Sequence, residues 1–326
     1  MRYSVLCIIV FLVFVGIYPP TQTHAQSLPG FSAVNASSLV TSPRYPEPDE
    51  QVTVTLNDYS INTRGATISW FINGVEQTTL RNERSIQITA GVLGATDTIR
   101  AVTTLPNGAT LQAKTTIQPM RVDMLIEADT LTPVFYKGRA IPSSGSLVRV
   151  TAIPFTGENK PPTSYSYVWK VGDTIQAGGS QYGKNFTTFT SRFEKSVFVS
   201  VDVLDNSGNI LTSESIYVPI ADPELYFYEI NPLRGVSEQA MNSDFIFVGD
   251  EVQIRAEPYF ISTALLSQNP HRQWKLNSKV VDNPSADPQE ITLRKEGSSG
   301  SFSLEFHIRN LQQLLQGVKK SITLTF

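Results

Sequence analysis

The sequence predicts an all-β chain: three tandem antiparallel immunoglobulin-like β-sandwich domains behind an N-terminal signal peptide. Three observations carry that expectation. The only tryptophans, Trp70, Trp169 and Trp274, are spaced by 99 and 105 residues. Each lies in a run alternating apolar and polar residues, with a second such run 18 to 22 residues upstream and a third 29 or 30 residues downstream. Turn-forming residues punctuate the chain about every 8 to 12 residues, the spacing of short strands in a two-sheet sandwich.

In the first 25 residues Arg2 precedes an apolar stretch from Val5 to Tyr18, which breaks at Pro19-Pro20 and runs into Thr23-His24-Ala25. That is the layout of a signal peptide cleaved after Ala25. The stretch is shorter than the roughly 20 apolar residues of a spanning helix, and an uncleaved helix acting as a tether is the alternative. Cys7, the only cysteine, lies inside it, so the mature chain is expected to hold no disulfide and each core to be stabilised by burial alone.

Residues 26–32 are a short linker, and domains are expected at 33–119, 120–220 and 221–326, with Pro119 and the Pro219-to-Pro223 stretch at the junctions, because proline cannot donate to a sheet ladder. In the first domain Val52, Val54 and Leu56 alternate in one strand, Ile68, Trp70 and Ile72 in the next, and Ile99, Ala101 and Thr103 in a third. The second repeats this with Val148, Val150 and Ala152, then Tyr167, Trp169 and Val171, then Val197, Val199 and Val201. The third repeats it with Val252, Ile254 and Ala256, then Arg272, Trp274 and Leu276, then Phe302, Leu304 and Phe306. A hairpin dipeptide follows each tryptophan strand: Asn73-Gly74, Gly172-Asp173 and Asn277-Ser278. The tryptophans are the expected core anchors.

The tryptophan strand, together with the run Ser196 to Val203 leading into Asn206-Ser207-Gly208-Asn209, resembles the polycystic-kidney-disease-type and related bacterial immunoglobulin-like modules. The resemblance spans nearly all of the mature chain at the level of fold. It implies spacers, adhesive repeats or domains appended to surface proteins and secreted enzymes. Unlike antibody-type domains, this chain has no cysteine pair around the tryptophan; aliphatics such as Val54 and Ala101 stand there.

Charge and chemistry narrow the function. The chain holds 26 basic and 29 acidic residues, and loss of Arg2 with the leader shifts the balance further to the acidic side. Neither nucleic acid nor an anionic membrane is an expected partner, and no span is expected in the mature chain. His24 leaves with the leader, His307 alternates with Ser303 and Glu305 on an outward face, and His271 lies beside Pro270. Two lone histidines make no metal set, no nucleophile–base pair or carboxylate pair stands out, and no cofactor is expected. Asp202 and Asp205 are weak calcium candidates where a strand enters a turn, as are Glu47, Asp49 and Glu50, since calcium takes oxygen ligands. Turn chemistry explains Asp and Asn there equally.

Two apolar segments are candidate partner sites. Tyr226, Phe227 and Tyr228 place aromatic rings on both faces of a strand; packing against the second domain is the other reading. Leu311, Leu314 and Leu315, followed by Gly317, spell one helical turn with a glycine cap, whose alternative role is core closure. The chain therefore reads as a non-enzymatic secreted or cell-surface structural or interaction protein, located outside the cell, on its surface or in the periplasm. Its expected partner is a protein of the cell envelope or an appendage. A carbohydrate-binding accessory module is the alternative, from its 12 tyrosines and 17 phenylalanines.

Overall fold

The computed structural model describes residues 37–58, 65–192, 194–246, 248–267, 270–297, 299–310 and 317–326. The signal-peptide and linker readings, and Leu311, Leu314 and Leu315, lie outside the described residues. The described residues are all-β apart from three short 3₁₀ turns and one short helix, Thr263–Ser267.

Three immunoglobulin-like sandwiches follow one another. The first packs Ser37–Ser42, Gln51–Asp58 and Ser85–Thr89 against Val75–Glu76, Thr67–Ile72, Asp97–Thr104 and Thr110–Ile117. The second packs Arg121–Ala128, Leu147–Phe155 and Phe186–Thr190 against Thr174–Ile175, Ser166–Val171, Ser196–Leu204 and Ile210–Pro219, with Gln181–Tyr182 joining Ser166–Val171. The third opposes the sheet of Gly235–Ala240, Glu224–Asn231, Glu251–Tyr259 and Glu290–Arg294 to that of Asp244–Ile246, Gly317–Thr325, Ser301–Arg309, His271–Leu276 and Lys279–Val281. Among the described residues the strands pair antiparallel, except that Asp244–Ile246 runs parallel to Gly317–Thr325, and Ser143 and Ala221 form an isolated parallel bridge.

Period-two alternation puts every second side chain into the gap between sheets. Val52, Val54, Leu56, Val148, Val150, Ala152, Val252, Ile254 and Ala256 are all buried. The tryptophan strand pairs with the downstream strand in one register three times: Ile72 opposes Ile99, Val171 opposes Val199, and Leu276 opposes Leu304. Asn73 and Gly74, and likewise Asn277 and Ser278, both take positive φ, the two-residue turn whose twist matches the flanking strands.

Trp70, Trp169 and Trp274 are buried, and each indole has the same kind of polar partner, a backbone carbonyl. Nε1 of Trp70 donates to the Glu83 carbonyl at 2.8 Å, that of Trp169 to Lys184 at 2.9 Å, and that of Trp274 to Pro288 at 3.0 Å. Each acceptor lies two residues before a strand of the opposite sheet: Ser85–Thr89, Phe186–Thr190 and Glu290–Arg294. The indole thus fills the core and ties the two sheets together. A buried N–H needs such a partner.

Candidate functional site

The aromatic strand Glu224–Asn231 is not a free face. Phe227 points into the third core, its ring 6.0 Å from Trp274. Tyr228 lies on the other face but is also buried, its hydroxyl 2.6 Å from that of Tyr259. One side of the strand is core, and the other is covered by the second sandwich, the packing alternative that the sequence also offered for this segment. Tyr226 is half-buried, with the Lys320 ammonium 3.9 Å from its ring centre and its hydroxyl donating to Glu224 at 2.6 Å.

The cover is the connection between Arg121–Ala128 and Leu147–Phe155, whose first half crosses to the third sandwich. The Leu131 amide donates to the Ile261 carbonyl at 2.8 Å, the Phe260 amide to Leu131 at 2.7 Å, and the Thr263 amide to Asp129 at 3.2 Å. Thr130 and Ser262 form an antiparallel bridge. Beyond it Phe135 meets Tyr228 edge-on at 5.1 Å, and Tyr136 meets Tyr259 at 5.4 Å and Phe260 at 5.9 Å. Phe260 has φ +57, a conformation costing a non-glycine residue about 1–3 kcal/mol. Its burial and its amide bond to Leu131 hold it there. Burial pushes the Tyr228 hydroxyl's pKa up, and the Tyr259 hydroxyl adds to the effect. These phenols stay neutral hydrogen-bonding groups.

The first and second sandwiches meet backbone to backbone. A Cβ on Gly94 would lie 2.8 Å from the Gly157 Cα, and one on Gly157 would lie 2.7 Å from the Gly94 Cα. Both glycines also have positive φ. Beside them opens a cleft of about 300 Å³ lined in part by Met120, Thr156, Glu158, Lys160, Tyr165 and Asp205. Glu158 and Lys160 pair there at 2.5 Å.

Asp205 supports its own turn. Its Oδ1 accepts from the Ser207 and Asn209 amides at 2.8 Å, and its Oδ2 from the Asn209 side chain at 2.9 Å. These donors, the Asn209 side chain foremost, hold its carboxyl below the usual carboxylate range. Asp202 instead accepts from the Ser213 hydroxyl across a strand pair. The two carboxylates serve separate contacts. Among the described residues no three His, Cys, Asp or Glu side chains gather to hold a metal. Arg255 with Glu257, Asp287 and Glu290 forms an ion-paired network that ties Glu251–Tyr259 to the Glu290–Arg294 side of its sheet.

No protein-family model and no curated protein matches the chain. Among solved structures it is similar to the fibronectin(III)-like modules of Clostridium thermocellum CbhA, at 12% identity and TM-score 0.26, over 56% of this chain and 94% of that one. It is also similar to three N-terminal domains of the bacteriophage RB49 outer capsid protein Hoc, at 11% identity and TM-score 0.25, over 89% and 98%. A third is the central fibronectin-III array of RIM-binding protein, at 12% identity and TM-score 0.27, over 85% and 92%. Scores this low say nothing further about this chain.

Proposed function

We propose that this chain is a non-enzymatic, exported interaction protein whose modules, 33–119, 120–220 and 221–326, hold one another in a fixed arrangement and present a binding face outside the cytoplasm. The observation that carries this reading is the pair of built seams: backbone hydrogen bonds and an aromatic cluster between the second and third sandwiches, and the glycine contact between the first and second. Modules joined only by linkers move independently by default; here side chains and backbone are spent on fixing them. Kinship with the polycystic-kidney-disease-type modules and a protein partner in the envelope or on an appendage belong to the same proposal. Protease treatment of intact cells is the test: cleavage of the protein without lysis is expected, and protection until the cytosol is released would contradict export. A sugar ligand is the second reading, favoured by the exposed aromatic rings of the middle sandwich.

A further inference from the structure

We infer that the outward face of the sheet carrying Trp169 is a binding site for a neutral polysaccharide chain. The inference rests on reading the chain as a non-catalytic binding protein and supplies its ligand class and site.

Strand register defines this face. Since Tyr167, Trp169, Val199 and Val201 point into the core, the residues between them point out. Reading across Ser166–Val171, Ser196–Leu204 and Ile210–Pro219, Lys170, Ser200 and Ser215 form one row and Val168, Asp202 and Ser213 the next. Phe198 and Tyr217 oppose each other at one end, their ring centres 5.1 Å apart. At the other end Tyr182 opposes Ser166, which opposes Leu204. Tyr182 and Tyr217 are each 68% exposed and Phe198 36%. Six residues separate Phe198 from Leu204, so the two aromatic ends stand about 20 Å apart along the strands. Between them lie hydroxyls and one charge of each sign.

Three outward rings elsewhere among the described residues are each covered by a guanidinium. The Arg100 guanidinium covers Phe71 at 4.0 Å, Arg121 covers Phe155 at 4.7 Å, and Arg149 covers Phe186 at 4.0 Å. The corresponding sheet of the third sandwich carries polar and charged groups outward instead, with Lys275 bound to Glu305 at 2.9 Å. The middle sandwich alone of the three repeats sets bare rings at both ends of this sheet among its described residues.

The chemistry selects a sugar. Pyranose rings have an apolar C–H face that stacks on an aromatic face and a rim of hydroxyls that needs donors and acceptors. Rings flanking a strip of serines and one carboxylate offer both along one line. Lys170 and Asp202 balance in charge, so the strip favours an uncharged chain over a polyanion. A protein hot spot would instead centre its rings within apolar surroundings, and here the centre is polar.

Native gel electrophoresis of the purified protein through gels containing a soluble β-glucan, xylan, galactomannan, dextran or the polyanion alginate tests this. Retardation by at least one neutral polymer is expected, with affinity falling about tenfold or more in Tyr217→Ala and Phe198→Ala. Phe71→Ala, which removes an outward ring of the first sandwich that Arg100 covers, is expected to bind as the parent does. An exposed cross-strand ring contributes little to stability, so thermal unfolding of Tyr217→Ala should shift by no more than about 5 °C. A purely structural role for the rings would move the melting temperature and leave binding alone. Retardation by alginate only, by no polymer, or undiminished in the Phe198→Ala/Tyr217→Ala double variant overturns the assignment. In each of those cases protease exposure on intact cells still decides the export reading separately.

Discussion

At the scale of the residue, the tryptophan is where sequence and structure meet most closely. Its burial was legible from alternation alone, because a large aromatic at an inward position of a period-two strand has nowhere else to go. Its hydrogen bond was not, since the acceptors Glu83, Lys184 and Pro288 share no residue type, only a place before the facing strand. Removing such a side chain costs about 3–5 kcal/mol, against the roughly 5–15 kcal/mol that holds a whole domain together. Trp169→Ala is therefore expected to unfold or severely weaken the middle sandwich in calorimetry. A melting shift below about 2 °C would show that the indole does not anchor that core.

At the scale of the element, strands were readable and connections were not. Register followed from matching offsets, so the pairing of Ile72 with Ile99 recurs as Val171 with Val199 and Leu276 with Leu304. The segment 129–141 has no period, and its partners Tyr228, Tyr259 and Phe260 belong to another module, so nothing local in the sequence announces its role. Its one signal was two adjacent aromatics, Phe135 and Tyr136, between Pro133 and Gly138, a costly exposure in a free loop. The same blind spot left Tyr226, Phe227 and Tyr228 open between a partner face and packing against the second domain: alternation placed rings on both sides of their strand but could not name what covers them. The three edge contacts of Phe135 and Tyr136 are worth on the order of 3 kcal/mol together. In the Phe135→Ala/Tyr136→Ala variant the second and third sandwiches are expected to melt as separate transitions, where the parent melts them together. An unchanged calorimetric profile would show that the segment does not couple them.

At the scale of the whole molecule, the two seams differ in kind. Both carry backbone hydrogen bonds, that from the Met120 amide to the Pro46 carbonyl at the first-to-second seam included, but the second-to-third seam adds buried rings, whereas the first-to-second seam adds two glycines whose backbones touch, with no room for a methyl group on either. Export stays a proposal drawn from the leader-like residues, outside the described part; among the described residues no helix is long and apolar enough to cross a membrane. The proposed fixed arrangement requires that the exposed face of the middle sandwich keep one orientation to its neighbours. Small-angle X-ray scattering from the purified protein tests that most directly. The profile is expected to match the one calculated from this single arrangement of the three sandwiches. A profile that only a mixture of module orientations can fit would contradict it.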